Sequence, residues 1–170
     1  MKSITQSILS FQMGALLLTA AFVTSEAGEK TLPFRGKIEA NEAFTILVPP
    51  FNHFLINGSG TGTATHLGRF TVTYEWDAEL GVVPSGSAEF IAANGDRLDT
   101  EMISISDTET ADPLVHVLVE TYTITGGTGR FAEATGTFTM ERFVSLTIGE
   151  GVTDVTFGSF QGTIAIHKGN

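Results

Sequence analysis

The chain of 170 residues has no cysteine, few cations and few polar aromatics: 9 Lys and Arg stand against 19 Asp and Glu, with one Trp and two Tyr. Without cysteine there is no disulfide scaffold, no thiolate nucleophile, no zinc site of the cysteine type and no lipid-modified amino-terminal Cys. A formal charge of −10 leaves no basic stripe to neutralise phosphates, which argues against nucleic acid and against docking on an anionic membrane surface. A long apolar run is missing as well. The amino-terminal one, Met13 to Val23, has 11 residues, whereas a membrane-spanning helix needs about 20.

That short run has the make-up of an export signal. Lys2 precedes it, and Ser25-Glu26-Ala27 places small residues at the two positions a signal peptidase reads. The expectation is cleavage after Ala27, a secreted or periplasmic protein with no membrane span after cleavage, and a single domain over residues 28–170. Those 143 residues keep 8 basic and 18 acidic side chains, so the charge stays at −10. A chain of that size buries roughly two thirds of its unfolded surface, enough to fold without disulfides.

From Leu32 onward no window carries apolar residues at i, i+3, i+4 and i+7, while period-two alternation recurs between Gly, Asn, Asp and Pro clusters. The clearest case is Arg69 to Trp76, with Phe70, Val72, Tyr74 and Trp76 on one face and Arg69, Thr71, Thr73 and Glu75 on the other. The remaining strands are expected at Leu32–Ala40, Phe54–Thr65, Ser87–Ala92, Asp96–Ser106, Leu114–Thr125, Thr135–Phe143 and Thr153–His167. Asn41 to His53 reads as an extended stretch in which Pro49-Pro50 forbids a central strand. Asp107 to Pro113 reads as an acidic loop, and Asn94-Gly95 as a hairpin turn of type I′. Eight antiparallel strands joined by local turns define an all-β, up-and-down barrel, the arrangement that removes exposed sheet edges. Gly62, Gly136 and Gly162, each inside a strand, mark places where the sheet bends or two backbones approach closely.

Thr125-Gly126-Gly127-Thr128-Gly129-Arg130-Phe131-Ala132 contains G-x-G-x-x-A, the pattern that seats a pyrophosphate on a helix amino terminus. The segment after it, Thr135-Gly136-Thr137-Phe138-Thr139, is β-branched strand and not a crossover helix, so no dinucleotide site is expected. No Lys followed by Ser or Thr completes a phosphate-binding loop either.

The same glycine segment, with Ala134 and Gly136 opening the next strand, resembles a hairpin of the allene oxide cyclase and dirigent superfamily. The stretch Gly58 to Phe70, with Ala92-Ala93-Asn94-Gly95-Asp96 after it, is similar to exported bacterial proteins that share this barrel. These stretches cover about a quarter of the chain after residue 27. The resemblance implies an eight-stranded barrel, an internal pocket, often a homotrimer, and a small apolar or phenolic ligand. None of the matching residues is catalytic in the family, so no catalytic role carries over.

Strand six places Leu114, His116, Leu118, Glu120, Tyr122 and Ile124 on one face and Val115, Val117, Val119, Thr121 and Thr123 on the other. Both faces are apolar enough to be core, and period two does not choose between them. If the leucine face lines the barrel, Glu120 and Tyr122 lie about 7 Å apart beside apolar walls, a setting that raises a carboxyl pKa and suits acid-base work. If the valine face is inside, they meet solvent or a subunit neighbour. His116 and Glu120 are too far apart along a strand to form a dyad. Tyr74 and Trp76 suit stacking against a flat ligand, but buried aromatics mainly supply apolar area, which favours ordinary core packing. His66, next to Arg69 at the end of strand two, suits an anionic ligand at a barrel mouth, or hydrogen bonds to its own turn.

The candidate ligand-binding residues are therefore Tyr74, Trp76, Leu118, Glu120 and Tyr122, and the candidate acid-base groups are Glu120, Tyr122 and His66. No pair among the four histidines has metal-ligand spacing, Asp107, Glu109 and Asp112 lack the pattern of a calcium loop, and no G-x-S-x-G occurs, so no metal or other cofactor is expected. The leading functional expectation is a ligand-binding barrel without catalysis, taking a small apolar molecule. Alternatives are a cyclase or isomerase acting on an apolar substrate, and a structural or surface protein. An outer-membrane barrel would need aromatic girdles at both interfaces, which one Trp and two Tyr do not supply.

Overall fold

The computed structural model describes residues 30–46, 53–79, 81–145 and 153–167. The expected export signal and Pro49-Pro50 lie outside them. Eight strands succeed one another: β1 (Lys30–Ile46), β2 (His53–Ala64), β3 (Gly68–Glu79), β4 (Ser85–Ala92), β5 (Arg97–Glu109), β6 (Val115–Gly127), β7 (Thr135–Ser145) and β8 (Thr153–Ile166). Each pairs antiparallel with the next, and β8 returns to pair with β1 from Lys30 against Ile166 to Ala43 against Thr153. The barrel is closed and up-and-down, so the described strands leave no open sheet edge.

Alternation decides what faces inward. Along β3, Phe70, Val72, Tyr74 and Trp76 are buried while Arg69, Thr71, Thr73 and Glu75 are exposed. The same period fills the middle of the barrel with Phe34, Phe70, Phe90, Phe138 and Phe160, whose rings meet edge-on or tilted at centroid distances of 4.9 to 6.5 Å. A transmembrane barrel reverses this order, with its apolar side chains outward. Among the described residues no helix is long and apolar enough to cross a membrane.

One end of the barrel is plugged. There Leu67, from the turn between β2 and β3, and Phe131, from a single 3-10 turn at Gly129–Phe131, are both buried with Leu98, Ala134 and Ile164. The segment carrying the dinucleotide-like glycines is therefore a three-residue turn between strands, with no helix to hold a pyrophosphate.

Glycines make room for the rings. A Cβ at Gly62 would strike the Phe70 ring, and one at Gly162 would strike the backbone and Cβ of Phe138. Gly58 has the same role nearer the open end, because the Tyr74 ring occupies the space a side chain there would need.

β1 and β5 run past their expected ends, and one turn is of another type. β1 runs on to Ile46 instead of ending at Ala40, because the inward period of Phe34, Ile38 and Ala40 continues through Glu42. Asp107 to Glu109 belong to β5, paired with β6 as far as Glu109 against His116. The Asn94-Gly95 turn is not type I′. Only Gly95 has a positive φ, +88°, and its N–H donates to the Ala92 carbonyl, so a common turn over Ala93-Asn94 is followed by one left-handed glycine. Asn94 instead donates from Nδ2 to Asp96 at 2.8 Å.

Gly58→Ala is expected to lower stability by about 1–3 kcal/mol by overpacking, while Ser59→Ala on the outward face stays within about 0.5 kcal/mol. Denaturant unfolding of the two variants checks this.

Candidate functional site

Above the phenylalanine layer, toward the other end, the inward positions become polar. Glu42 on β1, Tyr74 on β3, Glu120 and Tyr122 on β6, Arg142 on β7 and Thr156 on β8 are all buried, with Glu120 at 0% exposure and Arg142 and Glu42 at 2%. Register brings them together. Glu42 lies opposite Gly58, and Gly58 opposite Tyr74, so the tyrosine crosses the vacant glycine and donates its O–H to Glu42 Oε1 at 2.7 Å. Arg142 lies opposite Gly158 on β8, where a Cβ would come within 2.8 Å of the arginine Cγ.

Arg142 is the hub. Its Nε donates to Glu120 at 2.8 and 3.0 Å and its Nη2 to Glu120 Oε1 at 2.5 Å, a two-pronged clasp. Its Nη1 donates to Glu42 Oε1, with Tyr74 Oη at 3.3 Å and Thr156 Oγ1 at 3.4 Å. The guanidinium also lies 5.2 Å from the centre of the Tyr74 ring. Tyr122 completes the set by donating to Glu120 Oε2 at 2.9 Å, its ring stacked on Phe138 at 4.7 Å.

Burying three ionisable groups costs several kcal/mol each, which only dense pairing offsets. One guanidinium faces two carboxylates, so charge balance inside the barrel is complete only when one carboxyl holds a proton. Burial raises the proton affinity of Glu120 against the pull of Arg142. Burial also pushes both tyrosine hydroxyls up, so they act as donors. Burial by itself would lower the affinity of Arg142 for its proton, but Glu120 and Glu42 outweigh it and hold the guanidinium charged.

The cluster forms the floor of a cavity of about 270 Å³ in the unplugged end. Its walls are Phe44, Phe54, Ile56, Trp76, Leu118 and Val144; Glu42 and Arg142 reach it from below, Ser104 lies opposite Glu120 in register, and Asp107 lies opposite Leu118. The indole N–H of Trp76 is buried in that wall without a hydrogen-bond partner. Asp107 binds His116 Nδ1 at 2.5 Å, and that hydrogen bond raises the histidine's pKa.

The two faces of strand six are thus told apart: the Leu118, Glu120, Tyr122 face turns inward. Of the sequence candidates, Trp76 and Leu118 line the cavity, Tyr74 and Glu120 lie within the cluster beneath it, and Tyr122 is packed behind. His66 is not brought to them. It is an exposed turn residue with φ +63° at the plugged end. Glu42 and Arg142 are the functional candidates that strand reading missed. Glu42 falls in the stretch Asn41 to His53, read as extended but outside strand one. Arg142 shares a face with Phe138, Met140 and Val144, and a lone charge on an apolar face was the available signal. Among the described residues no group of three or more His, Asp and Glu is arranged to hold a metal.

The closed, up-and-down barrel of eight strands matches a dirigent-like fold. The structure of a pterocarpan synthase dirigent protein matches with a TM-score of 0.50 at 11% identity, over 84% of this chain and 88% of that one. At that identity the likeness is one of fold. No protein-family model matches the sequence, and no curated protein matches it.

Arg142→Met is expected to cost about 3–5 kcal/mol at neutral pH by stranding two buried carboxylates. The cost should shrink as pH falls and Glu120, whose proton affinity burial raises, takes up a proton, and adding Glu42→Gln and Glu120→Gln should recover much of it. Unfolding curves across pH check the sign. The raised pKa of His116 gives a stabilisation fully present below about pH 6.5 and lost as pH rises through the histidine's folded value. His116→Gln should remove that slope.

Proposed function

We propose that this barrel binds a small, compact and largely apolar molecule in its unplugged end, with a polar group of the ligand turned toward Glu42 and Arg142. The observation that carries the reading is the joining of an apolar-walled cavity to a buried ion cluster. Pockets of this make-up, apolar walls with a few convergent polar groups, are the usual form of a small-molecule site. Its volume of about 270 Å³ is just below the roughly 300–1,000 Å³ common for such sites, which favours a ligand of one or two rings. A phenolic hydroxyl suits the floor, since it donates to a carboxylate and accepts from an N–H in the same contact.

In this reading residues 1–27 export the protein and are removed. Amino-terminal sequencing of protein from its own host should begin at Gly28.

A second reading, isomerisation or cyclisation of an apolar substrate, is favoured by the buried carboxyl of Glu120 with its raised proton affinity one residue behind the cavity. Glu42 is the carboxylate that reaches the cavity, so in this reading it meets the substrate while Glu120 and Arg142 set its charge. Activity lost in both Glu42→Gln and Glu120→Gln, with binding kept, would separate catalysis from binding.

Trp76 is the only tryptophan, so its fluorescence reports on the cavity wall alone. Titration with 2-naphthol is expected to shift or quench it with a saturable curve. Leu118→Phe, which fills the cavity, should weaken binding at least tenfold with folding unchanged by circular dichroism. A linear, unsaturable response would contradict the reading.

A further inference from the structure

The cavity's charges restrict what it can hold. We infer that the site selects ligands whose polar group is uncharged or cationic and turns away carboxylates, with Glu42 and Asp107 as the residues that set this preference. The inference rests on the binding role proposed above and names the ligand's charge class.

Arg142 is the one cation among the cavity's lining residues. An arginine at the floor of an apolar pocket would ordinarily be read as a receptor for a carboxylate, because its planar fork matches one with two parallel bonds. Here the Nε–Nη2 edge of that fork is taken. Nε and Nη2 clasp Glu120, and Nη1 is turned to Glu42, Tyr74 and Thr156. A ligand carboxylate would give up its water without gaining a two-pronged clasp on the guanidinium, a loss that single donors do not offset. Ser104 adds a neutral hydroxyl to the lining.

The acids add repulsion to this missing partner. Glu42 at the floor and Asp107 opposite Leu118 both line the cavity. An anion would approach two carboxylates that are already engaged within the protein, Glu42 by Arg142 and Asp107 by His116. For an alcohol, a phenol or a carbonyl, the same groups offer acceptors and neutral donors. For an ammonium, they offer carboxylates within walls that carry the rings of Phe44, Phe54 and Trp76, surfaces that attract cations. The protein's charge of −10 acts in the same direction at longer range.

Matched probes that differ only in the polar group test this. Calorimetric titration of the purified protein at pH 7.5 would compare phenylacetic acid, 2-phenylethanol and phenethylamine, and in parallel 2-naphthoic acid, 2-naphthalenemethanol and 2-naphthylmethylamine. The expected result in at least one series is an alcohol and an amine that bind at least tenfold tighter than the acid. Glu42→Gln keeps a similar shape and should tighten the acid at least tenfold and weaken the amine, leaving the alcohol within about threefold. Asp107→Asn, at a half-exposed side chain, should move acid and amine in the same directions by a smaller factor, with unfolding curves to account for the lost contact with His116. An acid that binds as tightly as the alcohol would overturn the charge preference and leave the ligand site standing. Failure of all six probes to bind would overturn the ligand site itself, and the preference with it.

Discussion

Arg142 cannot be placed where it is without the rest of the site. A guanidinium at 2% exposure inside a barrel is tolerable only if its N–H groups and charge are met from several directions at once. Those directions are separate strands. Glu120 comes from β6, Glu42 and Tyr74 from β1 and β3, and Thr156 from β8, so the arginine joins strands distant in sequence and fixes their relative depth. The glycines at 58 and 158 are part of the same requirement, since side chains at either position would occupy space that Tyr74 or Arg142 needs.

This requirement divides the barrel into two halves with different chemistry. Below the cluster, five phenylalanines and the plug of Leu67 and Phe131 make a dry core that needs no polar partner. Above it, the inward side chains leave a cavity with apolar walls and a charged floor. The cluster is the boundary between them. It limits how deep a ligand goes and determines which functional groups the ligand meets there. Its two carboxylates on one arginine also make the floor sensitive to a single proton, a property that belongs to the group and not to Glu120 alone.

Much of the barrel is legible in the chain. Alternation along β3 and the glycine turns state the strands, and their number and local order lead to closure. The strand-six ambiguity was physical, because Leu118 and Ile124 on one face and Val115 to Val119 on the other both bury apolar area, and only closure decides between them. The ion cluster was harder to read for a different reason. Arg142 lies 22 residues from Glu120 and 100 from Glu42, so no local spacing links them. Three charges on inward strand faces were present in the sequence, but reading β1 as ending at Ala40 removed one of them. The Asn94-Gly95 turn shows a smaller limit of the same kind: the residue pair marks a hairpin, while the loop length chooses the turn.

The most direct test is a crystal structure of the protein purified from its own host without added ligand. The expected result is Arg142 buried between Glu120 and Glu42, and a compact molecule among Phe54, Trp76 and Leu118 with its polar group against Glu42. An arginine swung out to solvent, or a cavity collapsed onto apolar side chains, would contradict the central role given to the ion cluster.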